Sequence, residues 1–148
     1  MNVIKVNNEE QLQDAFAIRK KVFVEEQQVP IELEIDEYEQ EATHFVVYEE
    51  DNSPVGAGRF RVLDHSGKVE RICVLPTYRG TGAGKRMMNA IEDYAKSLKL
   101  PSLKLNAQIT AIPFYEKLGY DVISEEFMDA GIPHKTMKKT ITVPTTSV

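Results

Sequence analysis

The sequence predicts a mixed α/β fold, in which helices cover the faces of a sheet. Apolar residues alternate with polar ones in short runs typical of strands, and these runs are interleaved with segments of helical spacing. Three β-rich runs, at 43–48, 55–63 and 68–75, are joined by tight turns and predict an antiparallel meander. After residue 82, helical and extended segments alternate singly, which favours a mixed sheet.

The composition is that of one globular domain. Of the 148 residues, 42% are hydrophobic and 28% charged, and a chain of this length can fold without disulfides or metal. Its formal charge of −5 disfavours nucleic acid and anionic lipid as partners, and no apolar run approaches the roughly 20 residues that span a bilayer. Without a signal peptide, we expect a cytoplasmic domain over 1–143 and a frayed tail over 144–148.

The chain begins with a predicted strand at 3–6 and a helix. Either residue of the Asn7-Asn8 pair can cap this helix, which starts at Glu9. Its apolar stripe is interrupted by Arg19, which either lines a substrate pocket or closes an ion pair. The stretch 31–41 is acidic, and we interpret it first as a solvated face and second as a rim that attracts a cationic substrate.

The remaining elements include the meander and the second half of the chain. Gly56 and Gly58 lie inside the middle meander strand and predict a bulge or a close approach by another backbone. A long amphipathic helix begins at Gly82 and ends before Pro101. After it we expect a strand, a short helix that Gly119 stops, and two last strands, at 103–105, 109–118, 120–123 and 136–143.

A glycine-rich segment joins the last meander strand to the long helix. Three of its positions are glycine: Gly80, Gly82 and Gly84. Without side chains in the way, backbone N–H groups can face outward and form a phosphate site with the positive end of the helix dipole. Arg79, Lys85 and Arg86 add cationic charge beside it. The pattern favours a bound diphosphate or polyphosphate, and a plain glycine-rich turn is the alternative.

Two common nucleotide loops do not fit this segment. A Walker A loop needs Ser or Thr after its Gly-Lys pair, but Arg86 follows Gly84-Lys85 here. A dinucleotide fingerprint G-x-G-x-x-G needs a third glycine where Lys85 or Met87 stands. A protein that binds nucleotide phosphates is therefore a rival hypothesis rather than the first one.

Two motifs in the second half of the chain resemble one protein family. The segment 79–84 follows the pattern Arg-x-x-Gly-x-Gly, and Asn106–Gln108, Ala111 and the block Phe114–Tyr120 come after it. Together they resemble the acyl-CoA diphosphate loop, the fifth strand and the next helix of the GCN5-related N-acetyltransferases, the GNAT family. Looser matches resemble the ElaA-like branch of that family, at Arg19–Gln27, Ala42–Phe45 and Gly131–His134.

The resemblance implies a fold and a cofactor. In that family the fourth and fifth strands splay apart and acetyl-CoA lies in the gap, so we expect a GNAT-like N-acyltransferase fold. The residues that would bind the cofactor are Ile72, Cys73, Val74, Arg79, Gly80, Thr81, Gly82, Ala83, Gly84, Lys85, Asn106 and Phe114. For Asn106 the alternative is that it holds the two strands apart, and for Phe114 that it packs in the core. The amide of Cys73 or Val74 would polarise the thioester carbonyl, as in an oxyanion hole.

The implied reaction is attack of a primary amine on the thioester, by direct transfer in a ternary complex. An ammonium group is neutral in only about one part in 10³ at pH 7, a cost of roughly 4 kcal/mol, so a base, a water relay or a desolvated pocket must help remove its proton. The departing thiolate needs a proton, and Tyr115 matches the family's usual acid. A core tyrosine on an apolar helix face is the alternative.

Glu70 is the first candidate for the base. It lies two residues from Ile72 and is therefore expected on the same sheet face. The alternative is that Glu70 pairs with an arginine: Arg59, Arg61 or Arg71.

The other titratable side chains have weaker claims to a function. His44 and His134 are further candidates for the base and, with Arg19, for substrate binding, but a lone histidine at the start of a strand is more often a structural hydrogen-bonding group. Cys73 is expected to pack in the core rather than to act as a nucleophile. The three histidines lack ligand spacing, so we expect no metal.

The sequence thus predicts an acetyl-CoA-dependent N-acetyltransferase whose acceptor is an amine of a small molecule or peptide. Because dimers are common in the family, the resemblance also suggests a homodimer. The rival hypotheses are a GNAT-like sensor that binds acyl-CoA without turnover and the nucleotide-phosphate protein named above.

Overall fold

Two compact units make up residues 1–141, the part of the chain that the computed structural model describes. Unit 1 comprises Met1–Arg61 and Val69–Ile91, and unit 2 comprises Val62–Lys68 and the chain from Glu92 onward. The predicted domain end at 143 and the predicted frayed tail lie outside the described residues. The mixed α/β class is confirmed, because the structure contains helices and a sheet with both parallel and antiparallel strands.

The first strands form the antiparallel part of the fold. The elements of this half of the chain are β1 (Asn2–Lys5), α1 (Glu9–Arg19), a π-helix (Lys20–Glu26), α2 (Ile31–Glu34), β2 (Thr43–Tyr48), β3 (Pro54–Leu63), β4 (Ser66–Val74), a 3₁₀ turn (Pro76–Tyr78) and α3 (Ala83–Ser97). Strands β1 and β3 both pair antiparallel with β2, and β4 lies next to β3. The predicted meander is therefore confirmed.

The first helix begins where the sequence predicts and then changes its geometry. Asn8 is the cap, because its side-chain oxygen accepts a hydrogen bond of 2.8 Å from the Gln11 amide. After Arg19 the chain continues as a π-helix, in which the Gln27 amide donates to the Val22 carbonyl five residues earlier. Hydrophobic spacing predicts one helix here but does not reveal the change of hydrogen-bonding pattern.

The core of unit 1 lies on both faces of its strands. On one face α1 and the π-helix pack against β2, β3 and β4 through the buried side chains Ala15, Ile18, Val22, Val46, Ala57 and Cys73. On the other face α3 covers Gly58, where an added methyl group would lie 2.7 Å from Ile72 Cδ1 and 3.0 Å from Met87 Sδ. The predicted close approach by another backbone is found at Gly56, where an added methyl group would lie 3.1 Å from the Cys73 carbonyl oxygen, whereas at Gly58 only side chains come close.

Unit 2 is organised around its last strand. Its further elements are β5 (Ser102–Gln108), a 3₁₀ turn (Ile109–Ala111), α4 (Ile112–Lys117), β6 (Asp121–Val122), β7 (Phe127–Asp129) and β8 (Ile132–Thr140). Strands β5, β6 and β7 all pair antiparallel with β8. The first residues of β4 lie on the other side of β5, to which β4 runs parallel.

Three boundaries in unit 2 bear on the predictions. The turn before β4 contains only Asp64 and His65, both with positive φ, so the strand begins at Ser66 rather than at residue 68. Strand β8 begins at Ile132 rather than at 136, and β7 was not predicted. Gly119 has a φ of +97° directly after α4, as its predicted role as a helix stop requires. Within residues 1–141, no helix is long and apolar enough to cross a membrane.

Replacing the capping residue is expected to destabilise the protein. Asn8→Ala removes the acceptor for the Gln11 amide and should lower the free energy of unfolding by about 1 kcal/mol. Asn7→Ala is the matched control, because the neighbouring side chain bonds only to Asn8 Nδ2 at 3.3 Å and should change little. Denaturant unfolding of both variants measures the difference. Equal effects at the two positions would show that Asn8 is not the cap.

Candidate active site

Strand β4 reverses the faces of its side chains at Arg71. This residue has a φ of +57°, in the left-handed region that residues with side chains rarely adopt. Before it, Glu70 bonds to Arg59, and after it, Ile72 meets the position of Gly58. Gly58 and Arg59 are adjacent in β3, so they point to opposite faces of the sheet. Ile72 and Glu70, which contact them, therefore also lie on opposite faces. The prediction that they share a face is wrong, because the left-handed residue breaks the alternation as a bulge does.

A largely buried ionic cluster occupies the face that Glu70 reaches. Its members are Arg19, Arg59, Arg61, Arg71, Glu34, Asp36, Glu39 and Glu70. Arg19 is fully buried and donates to Glu34 Oε1 at 2.7 Å and to the two oxygens of Glu39 at 2.8 and 2.6 Å. These members are four arginines and four carboxylates, and the exposed Glu41 adds a fifth carboxylate 3.6 Å from Arg61, so the formal charge of the whole group is −1.

The cluster decides between the alternatives left open for Arg19 and for the acidic stretch. Arg19 closes ion pairs, which supports the second of its two interpretations; a substrate role stays a prediction. Within 31–41, the prediction of a solvated face is wrong for the carboxylates that enter the cluster: Glu34, Asp36 and Glu39. It is confirmed for the exposed ones: Glu32, Glu37 and Glu41.

Burial and pairing act in opposite directions on Glu39. Burial opposes ionisation of the carboxyl group, but hydrogen bonds and the nearby charge of Arg19 outweigh it and lower the pKa of Glu39 to about 2. The pKa of Arg59 is raised, since its pairing with carboxylates outweighs the effect of burial. Both groups are therefore charged at neutral pH.

Glu70 is engaged by two guanidinium groups. Its Oε1 accepts bonds of 3.1 Å from Arg59 and 2.7 Å from Arg61, and its Oε2 accepts one of 3.1 Å from Arg61. This arrangement supports the ion-pair alternative, with two of the three arginines named from the sequence. A role as catalytic base stays a prediction.

The glycine-rich loop has the geometry of an anion site. Gly80 and Gly82 have φ values of +79° and +91°, and a methyl group added at either would meet nothing within 4 Å. Helix α3 begins directly afterwards at Ala83, and the first amides of any helix lack acceptors inside it. Lys85 and Arg86 are exposed in its first turn. This segment can therefore hold a phosphate with backbone donors and nearby cations.

Arg79, by contrast, is directed at the protein. Its guanidinium group forms a double hydrogen bond with the Glu26 carboxylate and a third bond with the Val74 carbonyl. Glu26, at the end of the π-helix, was not singled out from the sequence, since 53 residues separate it from Arg79.

Cys73 and His44 both have the environments of structural residues. The thiol of Cys73 is buried in the core of unit 1, and burial raises its pKa to about 12. The ring of His44 is also buried, which lowers its pKa, and its Nε2 bonds to the Glu39 carbonyl at 2.8 Å. Packing was the expected role of Cys73, and a structural role was the alternative for His44.

In unit 2 the predicted acid lies in an aromatic cluster. Tyr115 is 8% exposed and makes edge-to-face contacts with the rings of Phe114 and Tyr120, at centroid distances of 5.0 and 5.9 Å. Burial raises the pKa of Tyr120, so this neighbouring hydroxyl keeps its proton at physiological pH. The cluster fixes the Tyr115 ring and leaves both of its predicted roles open.

The two other candidates in unit 2 lie on paired strands. Asn106 accepts a hydrogen bond of 2.9 Å from the Thr136 hydroxyl and lines a pocket of about 170 Å³ with Lys68 and Lys104. His134 is buried, bonds through Nδ1 to the Ile132 carbonyl and stacks on Phe127. The bonds of His134 support its structural alternative.

No group of three potential metal ligands occurs among the described residues.

The family now follows from direct comparison. Residues 5–141 match the model of the acetyltransferase (GNAT) domain, so the chain belongs to the GNAT family, as the motifs predicted. It is thus an acyl-CoA-dependent N-acetyltransferase by family.

Two bacterial relatives match almost the whole chain. The uncharacterised N-acetyltransferase YjcF of Bacillus subtilis strain 168 is 54% identical over 140 residues, which cover 94% of this chain and 99% of YjcF. Another B. subtilis protein, YyaT, is 44% identical over 144 residues, covering 95% and 97% of the two chains.

Three solved structures share the fold. An N-acetyltransferase structure from Lactobacillus plantarum has a TM-score of 0.89 at 27% identity, covering 95% of this chain and 98% of that one. Escherichia coli ElaA has a TM-score of 0.81 at 23% identity, with coverage of 93% and 98%. An aminoglycoside 6'-N-acetyltransferase complexed with coenzyme A has a TM-score of 0.75 at 15% identity, with coverage of 97% and 99%.

The ionic cluster predicts how stability depends on pH. The pKa of Glu39 is about 2 in the folded protein, below its ordinary 4.5, so its contribution to stability is complete above pH 4.5 and is lost as the pH falls through 2. Glu39→Gln should therefore lower the free energy of unfolding at pH 7, by about 3 kcal/mol, and flatten its decline in acid.

Chemical denaturation at a series of pH values between 7 and 2 measures this dependence. Glu37→Gln is the control, because Glu37 is exposed and lies outside the cluster. If Glu39→Gln unfolds with the same pH dependence as the wild type, the assigned pKa of Glu39 is wrong.

Proposed function

We propose that this protein moves an acetyl group from acetyl-CoA to a primary amine, by direct transfer in a ternary complex. The observation that carries the proposal is the loop 79–84 between β4 and α3, with its outward-facing glycines. A diphosphate matches backbone donors at a helix start better than a neutral ligand does. The structural neighbour that was solved with coenzyme A supports the same cofactor for this fold.

The acyl-CoA arm is proposed to run along the end of β4. Main-chain groups of Ile72, Cys73 and Val74 would pair with its pantetheine part, and an amide of Cys73 or Val74 would polarise the thioester. Asn106 and Phe114 are proposed as further contacts with the cofactor. These roles follow the family resemblance, and the position of the loop directly after β4 is consistent with them.

Direct transfer is favoured over a covalent intermediate on the thiol. Cys73 is the protein's single cysteine, and its burial raises the pKa of the thiol to about 12, so a thiolate is scarce at neutral pH. An acyl-cysteine intermediate would need that thiolate to reach the thioester. The amine is therefore proposed to attack the acetyl-CoA itself.

Proton transfer is assigned to Tyr115 and to water. Tyr115 would protonate the departing thiolate. Because Arg59 and Arg61 engage both oxygens of Glu70, we favour a water relay over Glu70 as the direct acceptor of the ammonium proton. Arginines balance all but one of the carboxylates in the ionic cluster, which is too small an excess to select a class of cationic acceptor, so the acceptor is assigned only as a primary amine. The cytoplasmic location and the homodimer stay predictions.

Acetyl-CoA binding tests the loop assignment. Gly82→Asp places a negative charge in the loop and should abolish binding of acetyl-CoA in calorimetry. Gly131→Asp is the matched control, because Gly131 also has a positive φ and open space around it but lies outside the loop. If Gly82→Asp and the wild type bind acetyl-CoA equally well, the assignment of loop 79–84 as the acetyl-CoA site is wrong. So would thermal stabilisation by ATP or NAD without stabilisation by acetyl-CoA.

Turnover separates the enzyme from a sensor. Purified protein should release free thiol from acetyl-CoA when a panel of primary amines is supplied. Tight binding without release above background for any amine would favour the acyl-CoA sensor.

Replacing Tyr115 tests its assigned role. Tyr115→Phe keeps the ring packing but removes the hydroxyl, and kcat should fall by about 10² while the Kd for acetyl-CoA stays within about twofold. Tyr120→Phe is the control, since this buried neighbour has no assigned role in the reaction. Steady-state kinetics at saturating amine measure the effect. An unchanged kcat in Tyr115→Phe would leave this residue with a packing role only.

A further inference from the structure

Arg79 donates three hydrogen bonds to the protein, from Nε and from each terminal nitrogen, although its side chain is 44% exposed. Its two terminal nitrogens bond to the two oxygens of Glu26 at 2.8 and 2.6 Å, and its Nε donates to the Val74 carbonyl at 3.0 Å. This fork-to-fork arrangement fixes the plane of the guanidinium group as well as its position. The ion pair also lowers the pKa of Glu26, chiefly through the hydrogen bonds from Arg79. Glu26 is therefore ionised and cancels the charge of its partner.

The contacts of Arg79 join three segments of unit 1. Glu26 is the last residue of the π-helix, Val74 is the last residue of β4, and Arg79 precedes the two glycines with positive φ. A glycine-rich loop has many accessible conformations, and holding it in one of them costs conformational entropy on binding. A bonded residue at the start of the loop reduces that cost before the ligand arrives.

We propose that Glu26 is a positioning residue for acyl-CoA, which holds loop 79–84 ready for the diphosphate by bracing Arg79 against the end of β4. Arg79 is then a brace within the protein and not a phosphate ligand. This differs from the sequence-based expectation that its positive charge would help to bind the phosphate. The diphosphate is met by backbone amides of the loop and by the exposed Lys85 and Arg86. This inference rests on the proposed function, because it assumes that the loop binds acyl-CoA.

Calorimetry with coenzyme A, on the wild type and four variants, tests whether Glu26 acts through Arg79. Glu26→Ala, Arg79→Ala and the double variant should each raise the Kd by about fivefold or more, and the double variant should lose no more than either single one. Glu25→Ala is the matched control, because this neighbouring carboxylate makes no contact with Arg79 and should bind within about twofold of the wild type. Thermal melts confirm that each variant is folded.

Kinetics with a truncated donor distinguish positioning from general structural damage. Glu26→Ala should raise KM for acetyl-CoA at nearly unchanged kcat. With S-acetylpantetheine, which lacks the diphosphate, the variant and the wild type should have the same kcat/KM. Equal losses with both donors would overturn the proposal in favour of a structural defect.

Two other outcomes would overturn the proposal, and a third separates it from the proposed function. Tighter binding of coenzyme A by Glu26→Ala would mean that Glu26 masks a phosphate-binding arginine. A loss in the double variant equal to the product of the single losses would mean that the two residues act independently. If wild-type protein does not bind coenzyme A at all, the proposed function itself fails, whereas binding by the wild type and equally by Glu26→Ala overturns only the brace.

Discussion

The arrangement of unit 1 depends on the left-handed backbone of Arg71 in the middle of β4. This conformation raises the free energy of a residue with a side chain by about 1–2 kcal/mol, whereas glycine adopts it without that cost. Here the guanidinium group bonds to the carbonyl oxygens of Leu33 and Glu34, at the end of α2, and to Asp36 just after it, so these contacts offset the strain. The reversal lets one strand supply Glu70 to the ionic cluster and Ile72 to the packing under α3. A strand with strict alternation would place both on one face.

In the ionic cluster, acidic residues of an acidic chain are buried and paired with arginines. Buried carboxylates are tolerated only when paired, and breaking such a pair is costly even where the intact pair adds little stability. In this protein the pairing neutralises Glu34, Asp36 and Glu39, which the sequence presents as part of a continuous acidic stretch. The attraction for cations that this stretch suggests is therefore reduced to its exposed members. Charge counted along a sequence overstates charge presented at a surface when the partners lie far away in the chain.

Local chemistry could be predicted from the sequence, and long-range pairing could not. The helix start, for which Asn7 and Asn8 were both candidate caps, and the stop at Gly119 follow from residues close in the sequence, and the structure contains both. The face of Glu70 was predicted wrongly because nothing in Val-Glu-Arg-Ile marks Arg71 as left-handed. The partners of Arg19 lie 15 and 20 residues away, and that of Arg79 lies 53 away. No periodicity records such contacts, so the identity of each partner needed the fold.

The anion site proposed for loop 79–84 would combine two kinds of group, which are backbone amides and exposed cationic side chains. Because Glu26 cancels the charge of Arg79, the cations left near the start of α3 are Lys85 and Arg86, whose exposed side chains are flexible. Dissolved salt screens the attraction between such exposed charges and a ligand, with a Debye length of about 10 Å at 0.1 M ionic strength. The backbone amides, in contrast, are held by the turn and lose no rotamer freedom when a ligand binds. In the proposed diphosphate site, the orientation of the amides would discriminate between anions by shape, whereas the two side chains would attract any anion. Specificity for a diphosphate would then come from the backbone, so the residues that fix the backbone would matter more than those that carry charge.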